Sequence, residues 1–312
     1  MLRLPYITVL MALILVSEAH FTFVRISVNG EWHEPLRFIR NKTAPFTEPW
    51  TPNTNRNERI YNEPTYATDL AESTRCGRDN MAYAAATEVL SLRAGDTIEF
   101  AHTRFDPVAW VDAMWYDCPN ERGSCAPNRA DQIMDINHPG PVMAHLSRVP
   151  DGMDVREYDG DGDWLKIYTL GLEWMVNQTD PIRWRAYNNG GLPERFIFKI
   201  PAQTPAGQYL LRMDEVNTGL EEHNAVFNST SPAQLYPSCA QIQVESDFTD
   251  PLPQGIKIPE ALQHTSPGMS STLSMYRFQS LDADYVYPGG PLWDGVNVVQ
   301  DKPVALNASE TL

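Results

Sequence analysis

His20 is the residue in this 312-residue chain best placed to do chemistry, because of what precedes it. Arg3, an apolar stretch from Tyr6 to Val16 and Ser17-Glu18-Ala19 have the pattern of a secretory signal peptide over residues 1–19. Cleavage after Ala19 gives His20 a free α-amine beside its own imidazole. The amine titrates near about 7.7–8.0 and the ring near about 6.5, so both offer neutral nitrogens at mild pH. Two nitrogens from one residue and a third from another histidine make a planar, T-shaped set. That set suits Cu(II) better than tetrahedral zinc. A histidine can fall at a cleavage site by chance, so the reading requires further ligands.

The other histidines are His33, His102, His138, His145, His223 and His264. His138 lies in Asn137-His138-Pro139-Gly140-Pro141, a rigid loop ahead of a strand-like run, where a side chain can be held at a sheet edge. It is the expected third nitrogen. His102 and His145 fall inside strand-like runs and read as structural, while His33 and His264 lie in polar loops and read as solvated.

The elements that must position these residues are strands. Runs of strand composition recur at Phe21 to Val28, Thr97 to Thr103, Val142 to Val149, Trp164 to Leu170, Arg195 to Ile200, Gln208 to Asp214 and Cys239 to Glu245. Each is bounded by Gly, Pro, Asn or Asp, which implies an all-β sandwich with long loops. Residues 41–71 lack apolar periodicity and read as a surface loop, Ala82 to Ala86 as a helical turn, and residues 294–312 as a flexible tail. With 42% hydrophobic residues the chain can fill a core. A net charge of −16 argues against nucleic acid as a partner. No stretch after residue 19 approaches the roughly 20 apolar residues of a membrane span, so a soluble, extracellular protein is expected.

Four cysteines in an oxidising compartment suggest two disulfides with three possible pairings. Cys118 and Cys125 close a short loop, and Cys76 with Cys239 is the nested, long-range partner pair. Sequons at Asn41, Asn177, Asn228 and Asn307 fit a secreted glycoprotein.

His20-Phe-Thr-Phe, Val28-Asn-Gly, His138-Pro-Gly-Pro-Val, Gly162-Asp-Trp-Leu-Lys-Ile-Tyr, Gly207-Gln-Tyr-Leu-Leu-Arg and Ala233-Gln-Leu-Tyr-Pro-Ser-Cys-Ala-Gln occur in that order. The set resembles the fungal lytic polysaccharide monooxygenases of auxiliary-activity family nine, formerly glycoside hydrolase family sixty-one. The resemblance runs from His20 to about Trp293, through Thr265-Ser-Pro-Gly-Met and Tyr287-Pro-Gly-Gly-Pro. It implies an immunoglobulin-like (fibronectin-like) antiparallel β-sandwich over residues 20–293 and one copper ion. His20 would hold that ion through its amine and ring, His138 through its ring, with Tyr236 as axial neighbour. It further implies that Gln234, two residues before Tyr236 on a strand, hydrogen-bonds an oxygen species. Cys76 and Cys239 match the family's long-range disulfide, and Tyr276 and Tyr285 its flat substrate-binding face.

One departure stands out. The family places a second histidine seven residues after the arginine of Leu-Leu-Arg and nine before the glutamine, and here those offsets fall on Gly219 and Ala225. His223, eleven residues from both Arg212 and Gln234, can take the catalytic role only in a rebuilt loop. The insert from Asp106 to Asp135, with Trp110, Trp115 and Tyr116, could stack on sugar rings or be a self-packed disulfide loop.

The function implied is oxidative cleavage of a β-linked glucan, cellulose or a related hemicellulose, by a monomeric enzyme. It would use dioxygen or hydrogen peroxide and an external electron donor, since no flavin or haem motif occurs. A copper-delivery protein with the same N-terminal histidine is the alternative, and it would show a carboxylate in place of the Gln-x-Tyr pair. A plain carbohydrate-binding sandwich has no use for the brace, and no carboxylate pair stands out for a glycosidase.

Overall fold

The computed structural model describes residues 20–43, 62–103, 125, 136, 138–176, 178–187, 194–221 and 231–306. In chain order these form β1 (Thr22–Val28), β2 (Glu31–Trp32), α1 (Ala71–Cys76), α2 (Met81–Ala84), β3 (Leu90–Arg93), β4 (Thr97–Thr103), β5 (Val142–Arg148), β6 (Leu165–Leu170), β7 (Leu172–Met175) and β8 (Ile182–Trp184). There follow β9 (Phe196–Lys199), β10 (Gly207–Asn217), β11 (Gly219–Leu220), β12 (Gln234–Leu235), β13 (Ser238–Glu245), β14 (Ser270–Ser271), α3 (Leu273–Tyr276), β15 (Leu292–Trp293), β16 (Val298–Val299) and β17 (Ala305–Leu306). One sheet has the order β2-β1-β4-β9, and a larger one runs β16-β15-β6-β5-β10-β13-β3 with β12 paired to β10. The molecule is an immunoglobulin-like β-sandwich.

Phe23, Phe100 and Phe196 of the first sheet meet Leu146, Leu211, Ala240 and Ile242 of the second in the central core. Strands with one wet face alternate: Leu90 and Leu92 of β3 are buried while Ser91 and Arg93 are exposed. β10 is buried on both sides. Its Tyr209, Leu211 and Met213 face the central core, while Leu210 and Val216 join an outer cluster with Trp164 and Ile258. The Cys76–Cys239 disulfide ties α1 to β13 within that outer cluster. By the same alternation Glu215 and Asn217 continue the inward-facing row at the end of β10.

Two loop readings need correction. Residues 62–66 do not lie on the surface: Asn62, Glu63, Thr65 and Tyr66 are buried. Thr65 exchanges backbone hydrogen bonds of 2.7 and 2.8 Å with Leu235. The buried side chains there are mainly polar, so hydrophobic patterning carried no trace of it. Nor is the stretch from 294 a flexible tail as far as Leu306, because β16 pairs with β15 and β17 with β7. Its anchor is electrostatic. Lys166 is fully buried, and Asp301 supplies its counter-charge at 2.7 Å.

Candidate metal centre

His20 leads into β1, and burial of the next residue fixes it there. Phe21 stacks on Tyr236 at 4.7 Å and meets Phe23 edge-on at 5.4 Å. Asn62 Nδ2 donates to the His20 carbonyl at 3.0 Å. His138 arrives on the loop before β5, which lies against the end of β10: Val216 N–H donates to Pro141 O and Thr218 N–H to Pro139 O. A Cβ on Gly140 would sit 1.8 Å from Val216 O, so only glycine permits this approach.

The sandwich thereby gathers three rings. His20 and His138 are 5.9 Å apart between centroids, His20 and Tyr236 6.1 Å, and His138 and Tyr236 5.8 Å. Burial, with His20 as a second cause, lowers the His138 pKa to about 3, so its imidazole is neutral and has a lone pair to offer. Its Nε2 is buried and has no hydrogen-bond partner among the described residues. A buried ring nitrogen without a partner, beside a second histidine, fits a metal ligand. Among the described residues no three His, Cys, Asp or Glu side chains converge on one point. A brace would need only two such side chains, its third nitrogen being the α-amine that cleavage after Ala19 would release.

Gln234 and Tyr236 lie on one face, as strand alternation requires. Tyr236 O–H donates to Gln234 Oε1 at 3.0 Å, and Asn217 Nδ2 donates to the same oxygen at 3.0 Å. The acceptor end of the amide is therefore engaged and its Nε2 is the donor end. Burial first, then Glu215, Tyr66, Glu63 and Asp214, pushes the Tyr236 pKa well above its ordinary value, so it stays a neutral phenol. Glu215 is raised likewise by burial and by Asp214, and neither of its carboxyl oxygens has a partner among the described residues. Sequence reasoning missed Glu63, Glu215 and Asn217. The last two had a signal: polar residues in the inward parity of a strand whose earlier positions are Tyr209, Leu211 and Met213.

Gly219, at the offset where the resembling family has histidine, is too crowded for any side chain. A Cβ there would meet Ser231 O at 2.6 Å, Ala233 N at 2.8 Å and the His264 ring at 3.0 Å. His264 is thus packed against β11 rather than solvated. His223, Cys118, Asn177, Asn228, Asn307 and the aromatics of the insert lie outside the described residues. Cys125 is disulfide-bonded. The side chain of Asn41 accepts from Lys42 N–H at 2.8 Å.

Tyr285 is not a surface tyrosine. It is 8% exposed and meets Trp184 and Tyr287 edge-on at 6.1 and 5.8 Å. Its ring is held by apolar packing and cannot present a flat face to a sugar. Tyr276 is half-buried, with burial and the neighbouring Tyr187 and Glu215 raising its pKa.

The class these features define is an immunoglobulin-like β-sandwich with a histidine pair and a tyrosine gathered at one end. Residues 20–285 match Auxiliary Activity family 9, formerly GH61. The AA9 family lytic polysaccharide monooxygenase H of Malbranchea cinnamomea is 28% identical over 289 residues, covering 92% of this chain and 97% of its own. That named G from Aspergillus tamarii is 25% identical over 283 residues, covering 89% and 67%. Among solved structures, a cellulose-active polysaccharide monooxygenase from M. thermophila aligns with a TM-score of 0.55 at 21% identity, covering 89% of this chain and 100% of that one. The chain belongs to Auxiliary Activity family 9, the lytic polysaccharide monooxygenases.

Proposed function

We propose that the chain, cleaved after Ala19, is an extracellular monomeric enzyme that holds one copper ion between His20 and His138 and oxidatively cleaves a β-linked glucan. The observation that carries this is the unpartnered, buried Nε2 of His138 beside His20 and Tyr236. Bound copper would supply one-electron chemistry with dioxygen or hydrogen peroxide, fed by an external donor, strong enough to take hydrogen from a ring carbon at a glycosidic bond. The protein's part is geometry. Burial keeps His138 neutral for binding, Tyr236 remains a phenol beside the two histidine rings, and Gln234, oriented by Tyr236, Asn217 and Tyr66, would offer an amide N–H to the oxidant. The gap at Gly219 leaves proton delivery to another group, with His223 the loop candidate.

Support for an extracellular site comes from the signal-like residues 1–19, the four sequons and the disulfide. Among the described residues no helix is long and apolar enough to cross a membrane. The test is mass spectrometry of products from cellulose treated with copper-loaded mature protein and ascorbate. Oxidised oligosaccharides are expected. Copper binding without oxidised product from any β-glucan would replace the enzyme by a copper carrier.

A further inference from the structure

Glu63 belongs to no motif, yet its carboxylate sits at the brace. Its Oε2 lies 3.6 Å from Nδ1 of His20, and its side chain is 2% exposed. The segment that carries it is held from several sides. Thr65 pairs with Leu235, Asn62 grips the His20 carbonyl, and Arg78 Nη1 donates to the carbonyls of Glu63 and Pro64 at 3.3 and 2.6 Å. Arg78 is itself fixed by Asp69 at 2.6 Å. The position of this carboxylate is therefore built into the fold. Its charge is felt by Tyr66 and Tyr236, which places it on the inner side of the site.

An anion at fixed distance stabilises a divalent cation twice as much as a monovalent one, because Coulomb energy is linear in charge. Burial reduces the screening that would erase the difference at a surface. Resting on the copper reading above, we infer that Glu63 is a fixed negative neighbour of the metal that favours Cu(II) over Cu(I) and so lowers the reduction potential of the centre. It acts by charge through the His20 edge of the site and is a positioning residue, since no contact with substrate is involved.

Competition titrations of mature protein with Cu(II) and, anaerobically, with Cu(I) test this. Glu63→Gln keeps shape and removes charge, and should lower the ratio of Cu(II) to Cu(I) affinity by about tenfold or more, a rise of about 59 mV per factor of ten. Glu63→Asp keeps the charge but draws it back, and should give a smaller shift in the same direction. Glu88→Gln, which removes an exposed carboxylate paired with Arg37, should change nothing. A ratio within about twofold of wild type in Glu63→Gln overturns the inference, as does a Glu63→Asp shift equal to that of Glu63→Gln. If Glu63→Gln does not fold, an unshifted ratio in Glu63→Asp overturns it alone. Wild-type protein that binds no copper would remove the brace itself. Wild-type protein that binds copper and oxidises cellulose while the variants keep its ratio would remove only the role of Glu63.

Discussion

His138 and His145 stand at the two ends of a comparison within ten residues of chain. Both are buried, and burial lowers the pKa of both. Their surroundings differ. His145 donates from Nε2 to Gly289 O at 3.0 Å, its Nδ1 has no partner among the described residues, and its charged neighbours Arg212 and Lys166 are each paired with a carboxylate, Asp214 at 2.6 Å and Asp301 at 2.7 Å. His138 Nε2 has no partner among the described residues either, and next to it are His20 and a buried carboxylate on that histidine's ring. A cation would meet two balanced ion pairs at the first site and a carboxylate beside a second histidine at the other. Residue type and burial are thus equal at the two positions, and only the neighbours make one a candidate ligand and the other a strut.

The largest effect should come from breaking this contrast directly. His138→Ala, or one added residue ahead of His20, is expected to weaken Cu(II) binding by about a thousandfold or more, since each removes one of three nitrogens. His145→Ala should leave the copper affinity unchanged and cost about 1–3 kcal/mol of stability through the lost buried hydrogen bond. Calorimetric titration and thermal unfolding of the same variants decide it, and equal copper loss in both would erase the distinction.

Asp301→Ala probes the charged surroundings of His145. It strands Lys166 without its counter-charge, and should destabilise the fold by about 3–5 kcal/mol in denaturant titration. A loss below about 1 kcal/mol would mean the C-terminal segment contributes little. Gln234→Ala tests the other side: copper retained with about a hundredfold less oxidised product, as for an interaction felt mainly in the transition state. Product loss matched by copper loss would make Gln234 a scaffold residue.

Lys42 supplies the most specific test. Burial lowers its pKa to about 7, below the unfolded value of about 10.4. Between those values the unfolded chain binds the proton and the folded one does not, so stability should rise with pH from about 7 towards about 10 by up to about 1.4 kcal/mol per unit. Lys42→Met should flatten that slope. An unchanged slope in the variant assigns it to other groups.

Much of the fold was legible in the chain. Each of the seven strand-like runs falls on a strand of the sandwich, because short apolar runs bounded by turn residues are local signals. His20 and His138 are proposed from a signal-like leader and a Pro-rich loop, and Gln234 and Tyr236 from the family resemblance; the structure brings these four side chains together. The places of Glu63, Tyr285 and Asp301 were not legible. Glu63 owes its place to a bridge between Thr65 and Leu235, Tyr285 its burial to Trp184 and Tyr287, and Asp301 its order to Lys166.

The sequence by itself determined which residues could bind a metal and along which strands they would lie, since covalent order and side-chain alternation are properties of the chain. Tertiary structure alone decided which of those residues meet, which ring nitrogen is left without a partner and which carboxylate stands beside it. Those outcomes depend on pairings between residues far apart in sequence and on desolvation, which no stretch of sequence contains.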